Sequence, residues 1–199
     1  MLKIIGKASS INVRKVLWTC AELGRPFERE DWQDSFAALN PNAMVPVIVD
    51  DDFVLWESNA ICRYLCAHSP DNGLLGTDAR QRARIEQWMD WQATELNNAW
   101  RYAFLALVRQ SAAHTDRAQI EASIANWHRH IGMLEAQLQS TGRFVTGAHF
   151  TLADVVLGLS VNRWMMTPMA RPDYPAVRAY YDHLGTRPAF LRFGRNGTP

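Results

Sequence analysis

The sequence predicts two unlike halves, an α/β N-terminal domain over residues 1–75 and an all-α C-terminal domain over residues 79–199. Three observations predict it. Short β-branched runs alternate with helical patterns as far as Ala67, in the order β-α-β and then β-β-α. A polar linker starts at Ser69-Pro70-Asp71-Asn72-Gly73 and runs to about Asp78. Beyond it no strand pattern of comparable strength occurs, and long stretches keep a helical period.

Taken in order, Leu2 to Gly6 reads as a strand. After a small polar loop, Asn12 can cap a helix that runs to about Leu23 and is stopped by Gly24-Arg25-Pro26. Its apolar positions Val13, Val16, Leu17, Cys20 and Ala21 follow the three-four spacing of a buried face. Phe27 to Trp32 reads as a second strand, so the first unit is a parallel pair with a crossover helix. Residues 33–43 read as a loop punctuated by Asn40-Pro41-Asn42. Val45 to Val49 is a strand, Asp50-Asp51-Asp52 turns it, and Phe53-Val54-Leu55 returns as its hairpin partner. Ser58 to Ala67 is a helix closed before Pro70.

In the second half, residues 79–111 read as one long helix carrying Trp88, Trp91, Leu96, Trp100, Phe104 and Leu107. Residues 116–139 form another. Phe150-Thr151-Leu152-Ala153-Asp154-Val155 opens a helix with a capping box: Thr151 can cap the Asp154 amide, Asp154 can reach back, and Phe150 can staple onto Val155. The last helix spans about Tyr174 to Thr186, entered near Pro175 and left at Pro188. No internal repeat and no low-complexity segment is present.

Composition narrows the function. A 48% hydrophobic chain of 199 residues can bury a sizeable core without disulfides. Net charge is +1, from 21 basic and 20 acidic residues, which argues against nucleic acid. The cysteines are Cys20, Cys62 and Cys66; an odd count with no Cys-x-x-Cys points to neither a disulfide framework nor a zinc site. Cys62 and Cys66 share one helix face and read as small core hydrophobes. His128 and His130 point to opposite sides of their helix, and no metal cluster is expected. The N-terminus lacks a signal-peptide pattern. No apolar run approaches the roughly 20 residues of a membrane span, so a reducing cytoplasm is the expected home.

Two segments carry chemistry. Met44-Val45-Pro46-Val47, read with Trp56-Glu57-Ser58-Asn59-Ala60-Ile61, places a proline before a β-branched run and a Glu-Ser pair at a helix start. A strand edge and a helix N-terminus suit the backbone and the carboxylate of a small anionic peptide. Ser10 stands just before the first helix, where a hydroxyl and the positive helix end can converge on one anion. Plain capping is the alternative at Ser10, Asn12 and Ser58. A proline starting an edge strand is the alternative at Pro46.

A thioredoxin-like half followed by an all-α half resembles the cytosolic glutathione transferase family. Four motifs in order carry the likeness. Ser10-Ile11-Asn12-Val13-Arg14-Lys15-Val16 is similar to the serine-bearing first loop of theta-, delta- and bacterial-type members. Leu39-Asn40-Pro41 leading to Val45-Pro46, and then Glu57-Ser58, resemble the family's glutathione site. Phe150-Thr151-x-x-Asp154 resembles its folding box. The chain is thereby identified as a serine-type, theta/beta-like bacterial member.

The resemblance implies an enzyme that joins the glutathione thiolate to a hydrophobic electrophile, with glutathione as co-substrate and no metal. Ser10 would steady the thiolate. It is chosen over Ser9 because the family's serine stands five residues before the position matched by Lys15. Asn12 is a second candidate near the sulfur. Met44, Val45 and Pro46 would hold the cysteinyl residue, with a cis bond before Pro46 exposing the Val45 backbone. Ser58 would hold the γ-glutamyl carboxylate and Glu57 its amino group. Several members place His, Lys or Gln just before the Val-Pro pair; Ala43 and Met44 stand there here, leaving Asn42 or Asn40 to hold the glycyl carboxylate.

The electrophile pocket would lie between the halves, walled by Trp100, Arg101, Phe104 and Trp164, any of which is otherwise helical core. A glutathione-dependent disulfide reductase or peroxidase is the alternative activity; members that favour thiol exchange carry Cys at the helix start, and this chain does not. A non-catalytic interaction module on the same fold is the third reading. The likeness also implies a homodimer, with helices around residues 60–70 and 80–110 at the interface and Arg63 as a contact.

Overall fold

A computed structural model of the chain describes residues 1–69 and 72–199. Pro70 and Asp71, where the sequence stops a helix and opens the linker, lie outside the described residues. The order is β1 (Lys3–Ile5), α1 (Ile11–Glu22), β2 (Glu28–Glu30), a 3-10 helix (Asp34–Leu39), β3 (Val47–Asp50), β4 (Phe53–Trp56) and α2 (Ser58–Ala67). Then come α3 (Ala79–Trp91), α4 (Asn97–Leu107), α5 (Arg117–Thr141), α6 (Leu152–Met166), α7 (Pro175–Leu184) and α8 (Pro188–Phe193). The expected α/β half and all-α half are both present.

The sheet is mixed, in the order β2-β1-β3-β4. β1 pairs parallel with β2 through the α1 crossover, as the β-α-β pattern requires. β3 runs antiparallel to β1 and to β4. The register positions the site. Ile5 lies opposite Val47, and Val47 opposite Trp56. The loop into α1, the segment before β3 and the entry to α2 therefore all leave the sheet at one end.

One core joins the halves. From Ile11 to Cys20 only Asn12 escapes full burial, because α1 packs on α2 on one side and on α6 and α8 on the other. Ala21 is exposed, at the far end of that stripe. Trp18 is fully buried against Phe150 and Phe190, with ring centroids 5.7 and 4.9 Å away. Gly158 on α6 lets this happen: a Cβ there would come 3.1 Å from the Trp18 ring and 2.6 Å from Leu184. Cys20, Cys62 and Cys66 are free and buried.

Several elements differ from the sequence reading. Ser10, not Asn12, is the N-cap residue of α1, and the first helical bond runs from Arg14 N–H to Ser10 O at 2.9 Å. Residues 34–39 form a 3-10 helix with no buried residue, so no apolar period marks it. β3 starts at Val47 rather than Val45, since Pro46 has no N–H to give to the ladder; the Val45–Pro46 bond is cis, as expected. The long helix over 79–111 is interrupted by a π-helical segment, Gln92–Leu96, and ends at Leu107. The chain continues past Pro188 into α8, which the last helical pattern did not include.

Candidate functional site

Each group at this end of the sheet is positioned by local rules. Ser10 has extended backbone, φ −73° and ψ 125°, directly before α1. A capping serine normally turns its hydroxyl onto an amide of the first turn. The Ser10 hydroxyl makes no such bond, nor any other to a described residue. It stands free beside the opening amides of Ile11, Asn12 and Val13, which have no partner inside the helix. Asn12 is half-buried in that same first turn, its side chain likewise without a hydrogen bond to the described residues.

Gly6 brings the next element close. Its φ of +139° suits only glycine, and an added Cβ would stand 2.6 Å from Val13 Cγ2 and 2.8 Å from Val45 Cβ. Val45 is thereby pressed against the start of α1. Its N–H and C=O make no hydrogen bond to a described residue. Pro46 is buried and Met44 is 64% exposed. Gly6→Ala is expected to cost about 2–3 kcal/mol from strain and overpacking, because the added Cβ must displace Val13 or Val45. Thermal unfolding beside Gly24→Ala, which shares the positive φ (+63°) but whose Cβ meets nothing within 4 Å, separates the overpacking from the backbone strain.

Asn40 is a framework residue. It is 4% exposed, donates from Nδ2 to Met44 O at 2.8 Å and accepts from Asn42 N–H at 2.9 Å. Its amide oxygen and one of its two N–H donors are occupied in shaping the 40–44 loop. Asn42 is exposed.

At the third corner, Glu57 is the N-cap residue of α2, with φ 73° and ψ 110°. A non-glycine residue held there signals a backbone shaped for something besides the helix. Its side chain is exposed and has no partner among the described residues. Ser58 is 6% exposed, yet its hydroxyl also lacks a partner there. The first α2 bond is Ile61 N–H to Glu57 O at 2.9 Å, so the amides of Ser58, Asn59 and Ala60 remain available.

Behind these corners lies a polar relay that the sequence reading missed. Lys15 is 1% exposed; its Nζ donates to Gln92 Oε1 at 2.8 Å and reaches Asn59 Oδ1 at 3.4 Å. Burial pushes its pKa down to about 8. Gln92 opens the π-helical segment and donates on to Asn97 Oδ1 at 2.8 Å, which also receives Trp100 Nε1–H at 3.1 Å. Two adjacent cations, Arg14 and Lys15, between apolar positions of α1 were the available signal. The partners of Lys15 come from α2 and from the helical half, so only tertiary structure reveals them.

On the helical half, Trp100 and Phe104 stand together at 5.3 Å, one half-buried and the other 3% exposed. Arg101 is exposed on another face of α4. Trp164 is 2% exposed, donates to His128 Nδ1 at 3.0 Å and stacks on Tyr174, and so serves the packing of α5 and α6. The structure brings the first two together and leaves Arg101 and Trp164 apart from them.

Fold and site together define a class: a thioredoxin-like sheet domain joined to a helical domain, with two helix N-termini and a free backbone segment opening at one end of the sheet. A family profile described as "Glutathione S-transferase, N-terminal domain" matches residues 9–68, and one described as "Glutathione S-transferase, C-terminal domain" matches residues 117–183. Glutathione S-transferase GstB of Escherichia coli K12 is 34% identical over 199 residues, covering 95% of each chain. A theta class glutathione S-transferase from the citrus canker pathogen Xanthomonas axonopodis pv. citri, solved with glutathione bound, superposes with a TM-score of 0.91 at 32% identity, over 100% of this chain and 99% of that one. Elongation factor 1-gamma 2 of Oryza sativa subsp. japonica is 33% identical over 165 residues, 79% of this chain but 38% of that protein. The chain belongs to the glutathione S-transferase family. It is a glutathione-dependent transferase.

Proposed function

We propose that this transferase holds glutathione across the open end of the sheet and joins its sulfur to a hydrophobic electrophile. Residues 1–75 act as the glutathione-binding unit and residues 79–199 supply the electrophile wall. The Ser10 hydroxyl donates to the thiolate, with the opening amides of α1 and the Asn12 side chain beside it. The Val45 N–H and C=O pair with the cysteinyl residue as an added strand pairs with a sheet edge, flanked by Met44 and Pro46. The amides of α2 and the Ser58 hydroxyl take the γ-glutamyl carboxylate, and Glu57 meets the ammonium group. Trp100 and Phe104 face the second substrate.

The chemistry follows from the sulfur. A free thiol with a pKa of ~8.5 is mostly protonated at neutral pH. A hydroxyl donor and a positive helix end favour the anion, and the proton leaves to solvent. The thiolate then forms a C–S bond as the electrophile's leaving group departs. The observation that carries this reading is the Ser10 hydroxyl, set at a helix start and bonded to nothing in the described chain.

Thiol exchange fits poorly. Burial pushes the Cys20 thiol up to about 12 and the Cys62 thiol up to about 11, and raises Cys66 as well. None supplies a thiolate at neutral pH. An interaction module would leave the free groups at Ser10, Val45 and Ser58 without a role.

The test is retention on immobilised glutathione together with conjugation of 1-chloro-2,4-dinitrobenzene. Retention and turnover are expected. Loss of both would leave the module reading, and disulfide turnover surviving Ser10→Ala would favour the reductase.

The free, buried thiols are consistent with the cytoplasm, and no described helix is long and apolar enough to cross a membrane. We place a homodimer contact across α2 and the α3–α4 face, beside the exposed Phe53 and Val54 of edge strand β4. Arg63 is engaged within the chain, 2.6 Å from Asp90 and 3.5 Å from Glu86, so the contact does not depend on it. Light scattering at twice 22.6 kDa is the expected result.

A further inference from the structure

Arg163, on α6, is 3% exposed and carries its charge without an acidic partner. Its guanidinium makes no hydrogen bond and no ion pair to any described residue. Nε is fully enclosed with nothing to donate to. The two terminal nitrogens likewise have no hydrogen-bond partner among the described residues, and the residue keeps a small exposed fraction, 3%. The flat group lies over the rings of Trp100 and Phe104, its carbon 4.4 and 4.1 Å from their centroids.

The surroundings add positive charge rather than relieving it. Arg109 stands over the same Phe104 ring at 5.6 Å and is exposed, also without an ion pair among the described residues. Arg14, on α1, lies close enough to repel Arg163, and burial with these two cations holds the Arg163 pKa below its ordinary value. The terminal nitrogens of Arg14 are bonded, donating to Thr198 O at 2.8 Å and Pro199 O at 3.0 Å, although its Nε, like that of Arg163, is enclosed without a partner among the described residues. Arg163 thus lies between a cation of the first turn of α1, Arg14, and the exposed Arg109, and of the three only Arg163 is buried with no hydrogen bond from its guanidinium to a described residue. A buried charge is ordinarily paired. A planar fork of free N–H groups between aromatic faces matches a carboxylate.

We propose that Arg163 is the anchor of an anion subsite in the electrophile pocket, and that the enzyme's preferred second substrates are aromatic electrophiles bearing a carboxylate. The carboxylate takes the terminal N–H groups of Arg163, Arg109 screens it from the open side, and the ring lies along the half-buried Trp100, with Phe104 backing the guanidinium. This rests on the proposed conjugation, because the bound electrophile must meet the glutathione sulfur. Arg163 touches substrate but not the reacting atoms, so it sets specificity.

The experiment compares 4-chloro-3-nitrobenzoate with its neutral amide, 4-chloro-3-nitrobenzamide. In each, the thiolate adds at the chlorine-bearing carbon, a C–S bond forms, and chloride leaves with the C–Cl electron pair. The acid is expected to exceed the amide in kcat/KM by about 10- to 100-fold in the parent, the range of a hydrogen-bonded charge. Arg163→Gln should bring the ratio close to one, and Arg163→Lys should retain part of it. Benzoate alone should quench tryptophan fluorescence in the parent, and benzamide should not. Turnover of the amide with no preference for the acid overturns the subsite while leaving conjugation standing; turnover of neither probe nor of 1-chloro-2,4-dinitrobenzene, with benzoate still bound, leaves the subsite standing and removes the proposed conjugation. A raised glutathione KM in Arg163→Gln with an unchanged acid-to-amide ratio assigns the arginine to glutathione and also overturns the proposal. Should both variants fail to fold, the parent's own preference and its benzoate binding decide.

Discussion

Asp154→Ala is expected to lower stability at pH 7 by about 3 kcal/mol, more than the loss of a helix cap alone. Asp154 is fully buried at the start of α6. One oxygen accepts Val145 N–H at 2.9 Å; the other takes Thr151 N–H at 2.8 Å and the Thr151 hydroxyl at 3.1 Å. Alanine would strand two buried amides and leave a small void. α6 packs on α1 and α3 and carries Arg163, so its entry angle matters to both halves. A fall in Tm of about 6–12 °C should follow for a domain of this size. Asp154→Asn keeps the shape and gives a pH test. Burial, outweighing the hydrogen bonds, lifts the carboxyl from 3.8 to about 6. Between about pH 4 and pH 6 the unfolded chain has released this proton and the folded chain has not. Stability of the parent should therefore fall as pH rises through that window, and Asp154→Asn should flatten the profile.

Ser10→Ala is expected to lower kcat/KM for conjugation by about 100-fold, with little change in Tm. The two halves of that expectation come from one observation. A hydroxyl acting as a cap would cost about 1 kcal/mol of stability on removal. Ser10 makes no cap bond, so its removal should leave α1 intact. Its effect should appear where charge sits on sulfur, and should shrink at high pH, where the thiol ionises unaided. Asn12→Ala should do less, since Asn12 lies two residues further on, inside the helix.

The sequence was legible wherever a local rule decided the outcome. The β-α-β and β-β-α order, the three-aspartate turn and the box at Thr151 and Asp154 each depend on residues within a few positions. Placing the N-cap at Asn12 rather than Ser10 missed by two residues, because serine and asparagine both cap helices and only backbone geometry separates them. The 3-10 helix at 34–39 buries nothing and left no period to read. The π-helical segment at Gln92 is a register slip inside one helical pattern, visible only through the partner it finds in Lys15. Trp100, Phe104 and Trp164 look alike in sequence. Their difference lies in what α5, α6 and α7 bring to them. Arg163 was illegible for the same reason: the absence of a partner is a property of the whole fold.

Everything turns on whether one alcohol at the start of α1 lowers the pKa of bound sulfur. The direct measurement is the ultraviolet absorbance of glutathione thiolate at saturating ligand, titrated against pH in the parent and in Ser10→Ala. The account predicts a midpoint in the parent at least one unit below that of free thiol, ~8.5, and a return toward that value in the variant. Identical midpoints in the two proteins, with glutathione bound in both, would contradict it.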